Sequence, residues 1–260
     1  MPSESLRYES PHERRGFILD SLRSTGFLAV ADLSRELGVS DMTVRRDLRK
    51  LAATGEARVV RGGVSLPHGT LERHNFTGRT SAQAEAKREI AHAAKELIAP
   101  GDAVALDAGT TAYELAASLS ETFDGCVVTH SVPILQLMVD QTAPRVVGLG
   151  GDLFPDSQAF VGPMSVDAAT RLRVRTFFLG AAAIDERGVY VSMDLERPTK
   201  QALMDIADEV TLLADHGKFE TSAPVLLCPL QRLHRVVTDK RPAAGVADRL
   251  AAEGVQLIVA

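Results

Sequence analysis

The apolar positions of this 260-residue chain follow two rhythms. In the first 51 residues they recur at three- and four-residue spacing, the repeat of helices with one buried stripe. Ile18, Leu22, Leu28, Ala31, Leu33 and Leu37 supply the apolar positions of two supporting helices, and Val44, Leu48 and Leu51 mark a third. Gly38 supplies the left-handed residue that a tight connection into the third helix needs. Ser40 is a good N-cap, its hydroxyl accepting from the backbone N–H of Met42 or Thr43. At about 100° per residue, Met42, Arg46 and Arg49 fall opposite the apolar stripe, flanked by Arg45 and Lys50. Residues 55–63 read as a short β-hairpin. Its arginines, Arg58 and Arg61, are set against valines and are expected on one side, with Gly62 and Gly63 letting the backbone leave the sheet.

Residues 65–81, with Pro67, Gly69 and Gly78, lack periodicity and read as a linker. The second rhythm follows. A helix over 82–98, with Ile90, Ala94 and Leu97 as its stripe, ends at Pro100-Gly101-Asp102. Strands at 103–107, 126–129, 146–149 and 176–179 then alternate with helices at 111–119, 132–139, 165–172 and 199–207. Further strands are expected at 210–214, 225–227, 236–237 and 255–259. Fully apolar, β-branched runs alternating with helices predict a mostly parallel sheet covered on both faces, a doubly wound α/β domain. The expected division is a winged helix-turn-helix domain over 1–64, a linker over 65–81 and an α/β domain over 82–260.

The net charge of −5 argues weakly against a nucleic-acid partner, but its distribution removes the objection. Residues 1–63 carry 11 basic and 9 acidic side chains, whereas the remainder carries 18 and 25. Between residues 45 and 61 there are six basic residues and two acidic ones. Ser40, Met42, Thr43, Arg45, Arg46, Arg49 and Lys50 therefore become candidate DNA contacts in the major groove. Arg58 and Arg61 would be wing contacts to phosphates or the minor groove. The competing reading is a merely solvated amphipathic helix. No apolar run approaches the ~18 residues of a membrane span, and the polar N-terminus lacks a signal core, so a cytoplasmic protein is expected. Cys126 and Cys228 sit in apolar runs and read as free buried thiols. The histidines show no metal-ligand spacing, so neither metal nor cofactor is expected.

Arg14, Ile18 and Leu22, followed by Ser40, Thr43, Val44, Arg45, Arg46, Asp47 and Leu48 at fixed spacing, resemble the N-terminal signature of DeoR-type bacterial transcription regulators. The resemblance covers nearly the whole chain. It implies a C-terminal fold similar to ribose-5-phosphate isomerase, and as partners double-stranded operator DNA and a phosphorylated sugar or related effector. A homodimer or homotetramer is expected, because two recognition helices must meet successive major grooves.

In open parallel α/β domains ligands bind outside the carboxyl ends of the strands. Asp107-Ala108-Gly109-Thr110-Thr111 leaves the 103–107 strand and opens a helix. It fits either a capped turn or a phosphate cradle, in which Gly109 permits close approach and Thr110 and Thr111 stand beside free N–H groups. The resemblance to the family's Asp-x-Gly-Thr-Thr loop implies the cradle. His130, Gly150, Gly151, Asp215 and Lys218 lie at other strand ends. His130 stands where the family commonly has asparagine, and fits a ligand contact or a turn residue. The family pattern implies Lys218 near the effector. Glu196 and Lys200, four apart, fit an intrahelical pair, whereas the resemblance implies that Lys200 faces the ligand. Leu179 and Ala182 occupy the places of the related isomerases' aspartates. Neither can move a proton, so no catalytic residue is assigned and an enzyme is not expected. The leading expectation is a repressor of carbohydrate-metabolism genes released by a phosphorylated sugar. The alternatives are an isomerase-like enzyme with an accessory DNA-binding module, and an activator without small-molecule control.

Overall fold

In the computed structural model, which describes residues 10–25, 27–60, 63–65, 76–119, 123–139 and 144–260, the chain divides into units of residues 1–74 and 75–260. The first contains α1 (Pro11–Thr25), β1 (Phe27–Ala29), α2 (Val30–Leu37), α3 (Asp41–Ala53), β2 (Arg58–Val60) and β3 (Gly63–Ser65). Gly38 adopts φ +65° after α2, as the turn requires, and its N–H donates to the Ser34 carbonyl. The Ser40 hydroxyl accepts from the Thr43 N–H at 3.3 Å and caps α3. Ile18, Leu22, Leu33, Leu37, Val44, Leu48 and Leu51 close into one core. Arg14 and Asp47, both buried, join α1 to α3 by a 3.0 Å Nε–Oδ2 ion pair. The one acid inside the α3 basic run thus points inward.

Three expectations change here. Leu28 lies on β1, not on a helix, and β1 pairs with β3 to complete a sheet of order β1-β3-β2. Gly63 does not end the sheet but begins β3, antiparallel to β2. A strand alternates sides every residue, so positions three apart, such as 58 and 61, face opposite ways if the strand continues. The shared side expected for Arg58 and Arg61 therefore does not follow, and Arg61 lies outside the described residues.

The second unit opens with α4 (Phe76–Ser81) and α5 (Ala84–Lys95). It continues through β4 (Ala103–Leu106), α6 (Thr110–Ser118), β5 (Cys126–Thr129), α7 (Val132–Met138) and β6 (Arg145–Gly148). Next come β7 (Asp152–Phe154), β8 (Ala159–Val161), α8 (Pro163–Thr170), β9 (Val174–Gly180), β10 (Ala183–Asp185) and β11 (Gly188–Val191). The chain ends with α9 (Arg197–Asp205), β12 (Ala207–Leu213), β13 (Val225–Cys228), β14 (Arg235–Thr238), α10 (Ala244–Ala252) and β15 (Gln256–Val259). Seven strands form a parallel sheet in the order β15-β14-β12-β9-β4-β5-β6. Strand alternation builds two cores. Val104, Leu106 and Phe178 pack with residues of α5, α6 and α7, while Ala105, Phe177 and Leu179 pack with residues of α8, α9 and α10.

Part of the expected linker is helical, since residues 76–81 form α4. The 225–227 strand belongs not to the main sheet but to a separate antiparallel one, β10-β11-β13. The β7–β8 hairpin, β10, β11 and α10 were not expected. Three of those four strands have three residues each, too few for period two to declare itself.

The order places a topological switch between β4 and β9. From β4 the chain winds outward to β5 and β6, and from β9 it winds the other way to β12, β14 and β15. Ligands of doubly wound sheets bind at the carboxyl ends of the strands flanking such a point. Here those ends are Asp107 and Gly180.

Candidate functional site

Two surfaces carry chemistry, one in each unit. On α3, Val44, Asp47, Leu48 and Leu51 are buried. Met42, Arg45, Arg46, Arg49 and Lys50 are exposed. None of these four cations has an ion-pair partner among the described residues. Ser40 and Thr43, expected among the DNA contacts, hydrogen-bond each other through their hydroxyls at 3.0 Å and are engaged in the cap. Arg58 sits on β2, and its side chain lies outside the described residues.

The second surface is the switch point. Asp107 is fully buried, and each of its oxygens is held. The Gly180 N–H donates to Oδ2 at 2.8 Å, the Lys200 ammonium donates to the same oxygen, and His130 Nε2 lies 3.0 Å from Oδ1. His130 Nδ1 lies 3.0 Å from the Phe160 carbonyl, tying β8 into the network. Lys200 also donates to the Gly180 carbonyl at 3.3 Å, so it crosses between strand ends and does not pair along its helix with Glu196. Burial works to raise the Asp107 carboxyl, but the Lys200 charge and the His130 hydrogen bond outweigh it and hold the group well below the usual carboxylate range. A Cβ on Gly180 would come within 3.1 Å of Asp107 Oδ2, so a side chain there would press on the carboxylate and push it by a few tenths of an ångström.

Above this buried brace Gly109 caps α6 in an extended conformation with no side-chain cap. The first-turn N–H groups at Thr110 and Thr111 therefore lack a side-chain acceptor, and the helix dipole leaves that end positive. Gly109 does not need a positive φ. A Cβ there would meet only the Gly180 Cα, at 3.9 Å. Gly151 is explained by packing: it adopts φ +139°, and a Cβ would strike the Ser165 hydroxyl and the Val161 carbonyl. Gly150 accepts from the Ser165 hydroxyl at 2.6 Å through its carbonyl. Asp215 caps the short turn of residues 216–219 by accepting from the Gly217 N–H at 3.1 Å.

Two residues here were not singled out from the sequence. Arg79, on α4, has Nε and Nη2 buried with no hydrogen-bond partner among the described residues. Lys87, on α5, is buried and donates to the carbonyls of Arg79 and Ala82. Burial pushes the Lys87 ammonium down to about 8, against the pull of Asp215 and with Lys218 and Arg79 adding repulsion. Burial likewise lowers Lys218, opposed by Asp215 and reinforced by Arg79. Arg79 is lowered by burial against the attraction of Glu196, Asp107 and Asp156. Three cations thus converge on one place and repel one another. No periodicity in the sequence marks Arg79, because a six-residue helix is too short to show a stripe.

Burial pushes the Cys228 thiol up to about 11, which makes it inert, and both cysteines are free. Among the described residues no group of three or more His, Cys, Asp or Glu could hold a metal ion. No helix among them is long and apolar enough to cross a membrane.

A recognition helix with an exposed basic face on a winged three-helix unit, joined to a doubly wound domain with a ligand-type switch point, defines a DNA-binding transcription regulator with its own sensor domain. The chain belongs to the DeoR family. Residues 14–70 match the DeoR-like helix-turn-helix domain and residues 82–240 match the DeoR C-terminal sensor domain. It is 30% identical to a putative aga operon transcriptional repressor of Escherichia coli O157:H7, over 99% of this chain and 97% of that protein. It is 29% identical to the transcriptional repressor GlcR of Bacillus subtilis, over 95% of each. It is 27% identical to the glycerol-3-phosphate regulon repressor of Escherichia coli K12, over 94% of this chain and 97% of that one. Ribose 5-phosphate isomerase A of Methanocaldococcus jannaschii aligns over 53% of this chain and 55% of its own, at 18% identity and a TM-score of 0.40.

Proposed function

We propose that this regulator is a repressor of carbohydrate-metabolism genes that leaves its operator when a phosphorylated sugar binds the sensor domain. The observation that carries the sensing half is Arg79, with two buried guanidinium nitrogens lacking a hydrogen-bond partner among the described residues, together with the buried Lys87 and the half-buried Lys218, which repel one another beside the strand-end acids Asp107 and Asp215. A phosphate supplies the charge those cations lack and accepts from the N–H groups of the α6 first turn. Gly109, Thr110, Thr111 and Lys218 form the anchor, with Arg79 and Lys87 added to it, while Asp107, expected in the anchor, is buried with both oxygens engaged and acts beneath it as a brace. His130 and Lys200 act by holding Asp107, and Gly150, Gly151 and Asp215 by shaping the surrounding turns. The relatives named for the aga operon and the glycerol-3-phosphate regulon support this class of effector.

On the DNA side, Met42, Arg45, Arg46, Arg49 and Lys50 face the major groove, Ser40 and Thr43 seat the helix, and Arg58 and Arg61 meet the backbone. Residues 1–64 read DNA and 82–260 sense the effector. The intervening 65–81 joins them, with α4 bringing Arg79 to the sensor. The working form is a dimer or tetramer, in the cytoplasm, where the operator is. Control is a coupling free energy: an effector with tenfold preference for the released state shifts operator binding by about 1.4 kcal/mol at saturation.

Leu179 is buried in the core and Ala182 carries no ionisable group, so the isomerase carboxylate positions are empty of acid–base chemistry. Pure protein is expected to give no turnover of ribose 5-phosphate above a heat-killed control, and steady turnover would restore the enzyme reading. The functional test is a thermal-shift screen of phosphorylated sugars and sugar alcohols with operator release measured for every hit. A ligand of the native state raises the unfolding temperature by mass action. A hit that stabilises the protein and leaves the operator complex intact would overturn induction by that ligand.

A further inference from the structure

We infer that Met42 reads the C5-methyl group of a thymine in the operator half-site. The inference rests on the assignment of α3 as the helix in the major groove. Met42 is 72% exposed, in the first turn of α3, on a face otherwise made of arginine and lysine. It is one of two large apolar side chains described as exposed in the first unit, the other being Val59 on β2. Along α3 it stands in one row with Arg46 and Arg49, four and seven residues on, opposite the buried Val44, Leu48 and Leu51.

The N-terminal residues of a recognition helix are those that reach base edges. In this first turn the polar side chain of Thr43 is occupied by Ser40, at 3.0 Å. Met42 has no polar group to offer a phosphate or a base edge. The major groove offers it one apolar feature, the thymine methyl, which no other base carries. A thioether on an unbranched stem adapts to such a small apolar bump. The arginines beside it read guanine or grip phosphate, so Met42 supplies discrimination of a kind they cannot.

The test begins with the duplex selected from random DNA by the full-length protein. Each thymine in a half-site is replaced in turn by deoxyuridine, which keeps every hydrogen-bonding group and removes only the methyl. The wild type is expected to lose about fourfold in affinity at one thymine per half-site, the worth of one buried methyl-sized group. Met42→Ala is expected to bind the parent duplex about as weakly and to be indifferent to deoxyuridine at that position. Met42→Leu is expected to keep the penalty. The inference is overturned if no thymine shows a penalty, or if the penalty persists unchanged in Met42→Ala. Arg45→Ala, measured alongside, separates the two levels. If it binds poorly while deoxyuridine does nothing, α3 sits in the groove but Met42 does not read thymine. If it binds like wild type, the groove assignment itself fails.

Discussion

Both surfaces of this regulator are built from cations, yet they hold them in opposite states. On α3 the arginines are exposed and solvated, and they have no acidic partner among the described residues. At the switch point Lys87 is buried and Arg79 and Lys218 are half-buried, and desolvation lowers the pKa of all three. The difference suits the two proposed ligands. A DNA duplex is a dense polyanion with a condensed ion atmosphere, and wet, mobile charges gain by releasing those ions. A single phosphate brings little charge, so its site must concentrate field in a low-dielectric place and keep donors fixed before it arrives. Partly desolvated, mutually repelling cations would be stabilised by the anion proposed to bind there.

The largest effect in this comparison is expected at the brace that makes the buried site possible. Asp107→Asn would leave the Lys200 ammonium buried without a counter-charge. Breaking a buried ion pair from one side costs about 3–5 kcal/mol, measured as a fall in the urea midpoint. No such loss is expected for any α3 arginine, because none is paired among the described residues. The sign with pH is fixed by the depressed Asp107 carboxyl. Its contribution is fully present above the ordinary value of 3.8 and is lost as pH falls below it, so the wild type should lose more stability on acidification than the variant. A variant as stable as wild type at neutral pH would show that the brace holds nothing.

Next in size is the loss of ligand response. Arg79→Ala, Lys218→Ala and Thr110→Val are expected to keep operator binding and to lose release. A hundredfold excess of effector over its Kd stabilises the wild type by about 2.7 kcal/mol, and this increment should shrink or vanish in each variant. Release at wild-type concentrations would move the pocket elsewhere. Loss of DNA binding in all three would dissolve the distinction between a reading unit and a sensing unit.

The same contrast explains what was legible in the sequence. The α3 surface lies in one continuous segment, where the Val44, Leu48 and Leu51 stripe fixes the opposite face without knowledge of anything else. The Asp107–Thr111 loop was readable because a strand-end motif is also local. Arg79 and Lys87 were not, since their meaning depends on charged neighbours distant in sequence, Asp107, Asp215 and Lys218. For His130 and Lys200 the sequence left two readings open. Only the three-dimensional arrangement shows both turned inward onto Asp107. Short elements failed for a related reason: Leu28 on β1 satisfies helical spacing as well as strand spacing when only three residues are available.

On the exposed side, Arg45→Ala and Arg46→Ala are expected to cost about 1–3 kcal/mol of operator affinity for each arginine that reads a base, with relaxed sequence preference. Binding to operator and to random duplex separates base reading from phosphate contact. Equal losses on both duplexes would assign these arginines to the backbone. Operator binding unchanged in both variants would remove α3 from the groove.

The smallest effect concerns the wing. Arg58 lies on β2, and Arg61 follows it in sequence at a spacing of three, so a shared face is not required for either to meet the duplex. A phosphate contact needs only a cation within reach, because it carries no base information and tolerates varied geometry. Replacing both with alanine should therefore weaken operator and random duplex by similar factors. Each lost phosphate contact should reduce the slope of log K against log salt by about 0.9. The expected slope change is near one if a single arginine touches the backbone and near two if both do, which turns the wing contacts into a count. The α3 variants give the control, since a base-reading arginine changes specificity more than it changes this slope. A double variant with an unchanged slope would mean that the wing stands clear of the DNA and that α3 alone supplies the charge of the interface.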